Sequence, residues 1–170
     1  MKLIQSPVRF TVYGEMAPLH ITLHHTAGHR KPSEDYLKQK RLGYHFMIDP
    51  DGTVYAYNDP TEVVGHSQSA NHDYIGISLV CGSPLPAANE LQIQATKELC
   101  TYLVDGYPTI KTISDHATID KIIAKRGWKC DPQWPGEKAE QNVWAIKHKY
   151  LDEIAQCCGL DPVKYTPPKK

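Results

Sequence analysis

The chain has 170 residues, 41% of them hydrophobic, enough to bury one core and too few for two comfortable domains. Lys and Arg total 19 and Asp and Glu total 19, so bulk charge draws the chain neither to nucleic acid nor to an anionic membrane. The expectation is a single domain over 1–170, with about 161–170 as a tail.

At the N-terminus the apolar pair Leu3-Ile4 is cut short by Gln5, Ser6 and Pro7, a poor pattern for a signal peptide. No stretch approaches membrane-spanning length, so the expected site of synthesis and residence is the cytoplasm. Residues 21 to 26, ITLHHT, are apolar and β-branched up to Ala27-Gly28 and predict a buried strand with histidines at its C-terminal end. Ser33 is the expected cap of a short helix running to about Lys40, with Glu34 and Asp35 in its first turn and Gly43 ending the segment.

YHFMI (44 to 48) and TVYAYN (53 to 58) flank Asp49-Pro50-Asp51-Gly52 and predict neighbouring antiparallel strands. IGISLVC (75 to 81) is an unbroken apolar run and predicts a central strand covered on both faces. Leu91, Ala95, Leu99 and Tyr102 recur at helical spacing, as do Val143, Ile146, Tyr150 and Ile154 before Gly159. Between these helices, Gly106, Pro108, Gly127, Pro132, Pro135 and Gly136 predict mostly loop, with a short helical turn around 118 to 125. The tail, DPVKYTPPKK, is expected to lie on the surface or fray.

Five cysteines form an odd set without a CxxC pair, which reads as reduced thiols. Nine histidines are the more informative excess, because neutral imidazole is the commonest metal ligand. Candidate ligands are His24 or His25 at the strand end, His116 in the long loop, and Cys130 or Asp131 beyond it. Two histidines and one anionic ligand make a catalytic zinc site with one open position for water. No HExxH-type pair is present, so spacing by itself also accommodates histidines that are merely hydrogen-bonded.

The ordered motifs weigh more. LHHTAG (23 to 28), GYHFMIDPDGTVYAYND (43 to 59), VGHS (64 to 67), NHDYIGISLVCG (71 to 82) and SDH followed by KCDP (114 to 116, 129 to 132) together resemble the zinc amidases that cleave muramoyl-L-alanine bonds. That family also includes peptidoglycan recognition proteins, and its small single-domain phage endolysins are similar in size and layout. The resemblance spans roughly residues 20 to 135 and implies an α/β fold, a mixed central β-sheet flanked by helices with a zinc cleft at strand ends.

Carried over by position, the resemblance implies zinc held by His24, His116 and Asp131, with Cys130 as the alternative third ligand. It implies that Tyr44 orients the metal water and that Lys129 stabilises the negative charge developing on the attacked carbonyl, while His66 and Asn71 line the cleft for substrate. His25 alternates to the other face of its strand, and His45 points away from Tyr44 as a structural or supporting residue. Where recycling amidases of this family place a glutamate, the IGIS strand has Ser78. The interval between His116 and Asp131, filled by TIDKIIAKRGW, is longer than in compact members.

The implied reaction is hydrolysis of the amide between N-acetylmuramic acid and L-alanine in bacterial peptidoglycan, in a phage or prophage setting where the enzyme reaches the wall after release across the membrane. The expected partner is peptidoglycan, with no nucleic acid, no membrane insertion and a monomeric chain. Some phage-type members also bind a polymerase, which leaves a regulatory protein partner open. The sequence also accommodates two rival readings: a non-catalytic peptidoglycan-binding protein of the same fold, and a cysteine hydrolase pairing Cys130 with His116.

Overall fold

The computed structural model describes residues 1–82, 84–116, 118–119 and 148–163. Strands β1 (Leu3–Gln5), β2 (Val12–Glu15) and β3 (His20–His25) lead into helix α1 (Arg30–Lys40). Strands β4 (Phe46–Ile48), β5 (Val54–Ala56) and β6 (Glu62–Val64), a 3-10 turn (Gln68–His72) and strand β7 (Tyr74–Leu79) come next. Helix α2 (Glu90–Gly106), strand β8 (Thr112–Asp115), helix α3 (His148–Cys158) and strand β9 (Asp161–Val163) complete the described elements.

Seven strands form one mixed sheet in the order β1-β5-β4-β7-β3-β8-β9, and β2 pairs with β6 apart from it. The β4–β5 pair is antiparallel, as the Asp51-Gly52 step predicts, and Gly52 takes the positive φ of 80° that the turn requires. β7 lies parallel between β4 and β3, the central place expected of an unbroken apolar strand.

One face of the sheet is apolar. Ile21 and Leu23 of β3, Ile75, Ile77 and Leu79 of β7 and Ile113 of β8 pack with Leu99 and Leu103 of α2 and Ile154 of α3. The opposite face carries Thr22, His24, Gly76, Ser78 and Ser114, which the parallel register sets side by side. Towards β4 this second face is closed by Phe10, Leu37 of α1, Met47, Tyr57 and Val80. The apolar side thus anchors β3, and the polar side presents its histidine.

Five expectations change. Helix α1 begins at Arg30, one turn before Ser33, and Ser33 instead bonds back to the His29 carbonyl. Pro32 is compatible with that start, because the first-turn N–H groups have no partner within the helix. Arg41, not Gly43, makes the helix stop: its φ of 56° lets Arg41 N–H and Leu42 N–H donate to the Lys38 and Leu37 carbonyls.

In α2, Ala95 and Leu99 are buried as expected, but Leu91 and Tyr102 are 61% and 59% exposed. The buried stripe runs instead through Gln92, Ile93, Thr96, Cys100 and Leu103. Burying a leucine contributes roughly 1.5–3 kcal/mol, and Leu99 makes that contribution where Leu91 does not. The region read as loop contains β8, paired parallel to β3, so His116 follows a core strand rather than lying in a loop. Residues 161–163 of the expected tail form edge strand β9 against β8, and Val143 and Ile146 lie outside the described residues.

Candidate functional site

Strands β3 and β8 run parallel with Leu23 opposite Asp115, so the next position on each brings His24 beside His116. Their ring centroids are 4.6 Å apart although 92 positions separate them in the chain. The Tyr44 ring, just before β4, lies 4.8 Å from that of His24, and the His66 ring meets it edge-on at 5.1 Å. Among the described residues, these three rings surround His24. His25 alternates to the other face, where its ring lies so near Gly82 that an added Cβ would come within 2.4 Å of it.

Hydrogen bonds hold this cluster from below. His24 Nε2 and His66 Nδ1 are 3.1 Å apart, and His66 Nε2 is 2.9 Å from the Tyr74 carbonyl. Asn71 Oδ1 accepts from the backbone N–H groups of both His66 and Ser67, at 2.9 and 2.6 Å. His45 Nδ1 accepts from Gly76 N–H at 3.0 Å, and its Nε2 donates to the Glu62 carbonyl at 2.8 Å. Those two partners define the neutral His45 tautomer with its proton on Nε2.

Burial holds His24 well below the ordinary imidazole range, reinforced by the positive charge His116 and His66 could carry. Burial likewise brings His66 down to about 3 and His45 down to about 4. His24 is therefore neutral at physiological pH, the form in which imidazole binds a metal. Burial pushes the Tyr44 phenol up to about 12, with the neighbouring Ser78 hydroxyl pulling the other way, so Tyr44 keeps its proton. The arrangement combines imidazole nitrogen with a proton-bearing phenol, which suits metal-assisted hydrolysis.

Of the residues singled out in the sequence, His24, His116 and Tyr44 are brought together. His66 and Asn71, expected to line the cleft for substrate, are hydrogen-bonded within the protein through both ring nitrogens of His66 and the Asn71 side-chain oxygen. Asn71 also lines a surface groove with Tyr13, Leu42 and His72. Lys129, Cys130 and Asp131 lie outside the described residues. Among the described residues, no group of three His, Cys, Asp or Glu could hold a metal by itself. His24 and His116 nevertheless fit zinc as two borderline-soft nitrogen donors, one at the end of β3 and the other just after the adjacent strand β8. The link from His66 to His24 carries no periodicity or motif signal of its own, beyond the presence of His66 in VGHS.

A family profile described as N-acetylmuramoyl-L-alanine amidase matches residues 14–134, which include the segment bearing Lys129, Cys130 and Asp131. The endolysin of Klebsiella phage KP32 is 33% identical over 97 residues, 52% of this chain and 64% of that protein. The endolysin of Escherichia phage T7 is 49% identical over 41 residues, 24% of this chain and 27% of that protein. The matched stretches thus span from about a quarter to just under two thirds of these relatives' length.

Among solved structures, the N-acetylmuramoyl-L-alanine amidase LysC from Clostridium intestinale URNW superposes with a TM-score of 0.62 at 23% identity, covering 76% of this chain and 99% of that one. Drosophila peptidoglycan recognition protein SD superposes with a TM-score of 0.58 at 18% identity, covering 70% of this chain and 85% of that one. At these identities the structural likeness is one of fold.

Proposed function

The chain belongs to the N-acetylmuramoyl-L-alanine amidase family, and from that premise we propose that it hydrolyses the amide joining N-acetylmuramic acid to L-alanine in bacterial peptidoglycan. The observation that carries this reading is the meeting of His24, His116 and Tyr44 on the polar side of the sheet. His24 and His116 would hold a zinc ion, with Asp131 as the third donor and Cys130 as its alternative. When bound, zinc supplies Lewis acidity toward the carbonyl and acidifies water to a pKa near about 7.

The chain's own groups do the rest. Tyr44, protonated by virtue of its burial, donates a hydrogen bond that orients the attacking water or passes a proton to the leaving amine. Lys129 supplies positive charge to the carbonyl oxygen as the amide becomes tetrahedral, a contribution of a few kcal/mol. The phage relatives favour an endolysin setting, in which the enzyme meets the wall after release across the membrane. No helix of the described residues is long and apolar enough to cross a membrane.

The test is release of new L-alanine amino termini from purified peptidoglycan, with chelator and then with zinc restored. Release that chelation abolishes and zinc restores is expected, and alkylation that leaves it intact removes a cysteine nucleophile. A folded, zinc-loaded protein that binds peptidoglycan but releases no amino termini would overturn the enzymatic reading in favour of a binding protein.

A further inference from the structure

We propose that His66 is a positioning residue that places the ring proton of His24 on Nε2 and thereby makes Nδ1 the metal-binding atom. The proposal rests on the zinc reading above and concerns which nitrogen does the binding and what keeps it available. The Tyr74 carbonyl can only accept, so His66 Nε2, 2.9 Å away, carries a hydrogen. A second proton on His66 would bury a cation against the His24 and His45 rings, which burial disfavours. His66 Nδ1 therefore presents a lone pair, and His24 Nε2 at 3.1 Å must be the donor. A neutral His24 has one ring proton, and with that proton on Nε2 its lone pair is on Nδ1.

The surroundings hold His66 in this role. Asn71 Oδ1 clamps the backbone N–H groups of residues 66 and 67. Below the ring, Gly76 leaves the space: a Cβ there would come within 2.8 Å of the His66 ring. His45, itself tied to Gly76 N–H and the Glu62 carbonyl, flanks His66 with ring centroids 5.8 Å apart. A metal-ligating histidine whose second nitrogen donates to a fixed acceptor is held in one tautomer and orientation, and losing such a partner typically costs 10–100-fold in metal affinity. The acceptor here is another imidazole, set by two backbone contacts and a glycine.

The test uses the full chain, metal-free and zinc-titrated. Imidazole proton–nitrogen correlation spectra of the wild type should show His24 protonated on Nε2 without metal, and zinc should shift its Nδ1 resonance. His66→Leu should weaken zinc binding roughly 10–100-fold in competition with a chromophoric chelator. His66→Asn, which can return an acceptor near the Nδ1 position, should recover most of that loss. Protonation of His24 on Nδ1, zinc bound through Nε2, or a folded His66→Leu with wild-type affinity would each overturn the proposal. If the leucine variant does not fold, the wild-type spectra still decide it. A wild-type chain that binds no zinc would overturn the metal reading itself, while the metal-free spectrum separately reports the proton on His24.

Discussion

At the scale of single residues, Tyr44 owes its protonation state to its surroundings just before the interior strand β4. Burial disfavours the phenolate and pushes the hydroxyl up to about 12, so the side chain remains a donor throughout the neutral range. Tyr44→Phe keeps the ring against His24 and removes only that donor. It should lower turnover on peptidoglycan on the order of 100-fold or more while leaving zinc content unchanged, as measured by amino-terminus release and metal analysis. Equal activity in the variant would leave the hydroxyl without a catalytic part. The neutrality of His24 has the same origin, because desolvation and neighbouring imidazoles both penalise a second proton. The motif register pointed to Tyr44, His24 and His116, whereas the use of His66 depends on a contact with a residue 42 positions away, which no local pattern encodes.

At the scale of elements, helix α2 illustrates how a polar pair sets the orientation of an apolar stripe. Asn89 accepts from Gln92 N–H while the Gln92 side chain accepts from Asn89 N–H, a reciprocal capping box. The Gln92 amide also donates to the Ile48 and Val80 carbonyls, fastening the start of the helix to β4 and to the end of β7. Those bonds bury Gln92 and rotate Leu91 outward, against its hydrophobicity. Asn89→Ala should destabilise the fold by about 1 kcal/mol, read from the urea midpoint at constant m-value. A change within error would show that Gln92 anchors the helix without the cap. The short strand β8 was illegible for a related reason: Thr112, Ser114 and Asp115 surround a lone Ile113, and the strand holds its place through pairing with β3 and β9.

At the scale of the whole molecule, the polar side of the sheet concentrates buried neutral histidines, which makes stability depend on pH. His45 stays unprotonated in the folded chain down to about 4, because burial and the Gly76 N–H bond both oppose a proton on Nδ1. An unfolded histidine protonates near about 6.5. Between those values the unfolded state binds more protons, so stability rises with pH and is lost as pH falls through the window. The loss reaches up to about 1.4 kcal/mol per pH unit for each such site, and burial of His66 adds to it in the same direction. In the presence of chelator, the urea midpoint should therefore drop between pH 7 and pH 5, and His45→Gln should drop less. An equal slope in the variant would place the acid sensitivity elsewhere.

What the sequence by itself determined is the set of strands that bury themselves by composition, β3, β4, β5 and β7, together with the motifs that carry His24, His116 and Tyr44, whose rings meet. Apolar continuity and motif order are local properties and survive being read along the chain. Tertiary structure alone decided that Leu91 faces solvent, that residues 161–163 close the sheet edge, and that the His66 ring meets His24. Each of those outcomes is a competition for partners among residues distant in sequence, settled by which hydrogen bonds can be satisfied once the sheet has formed.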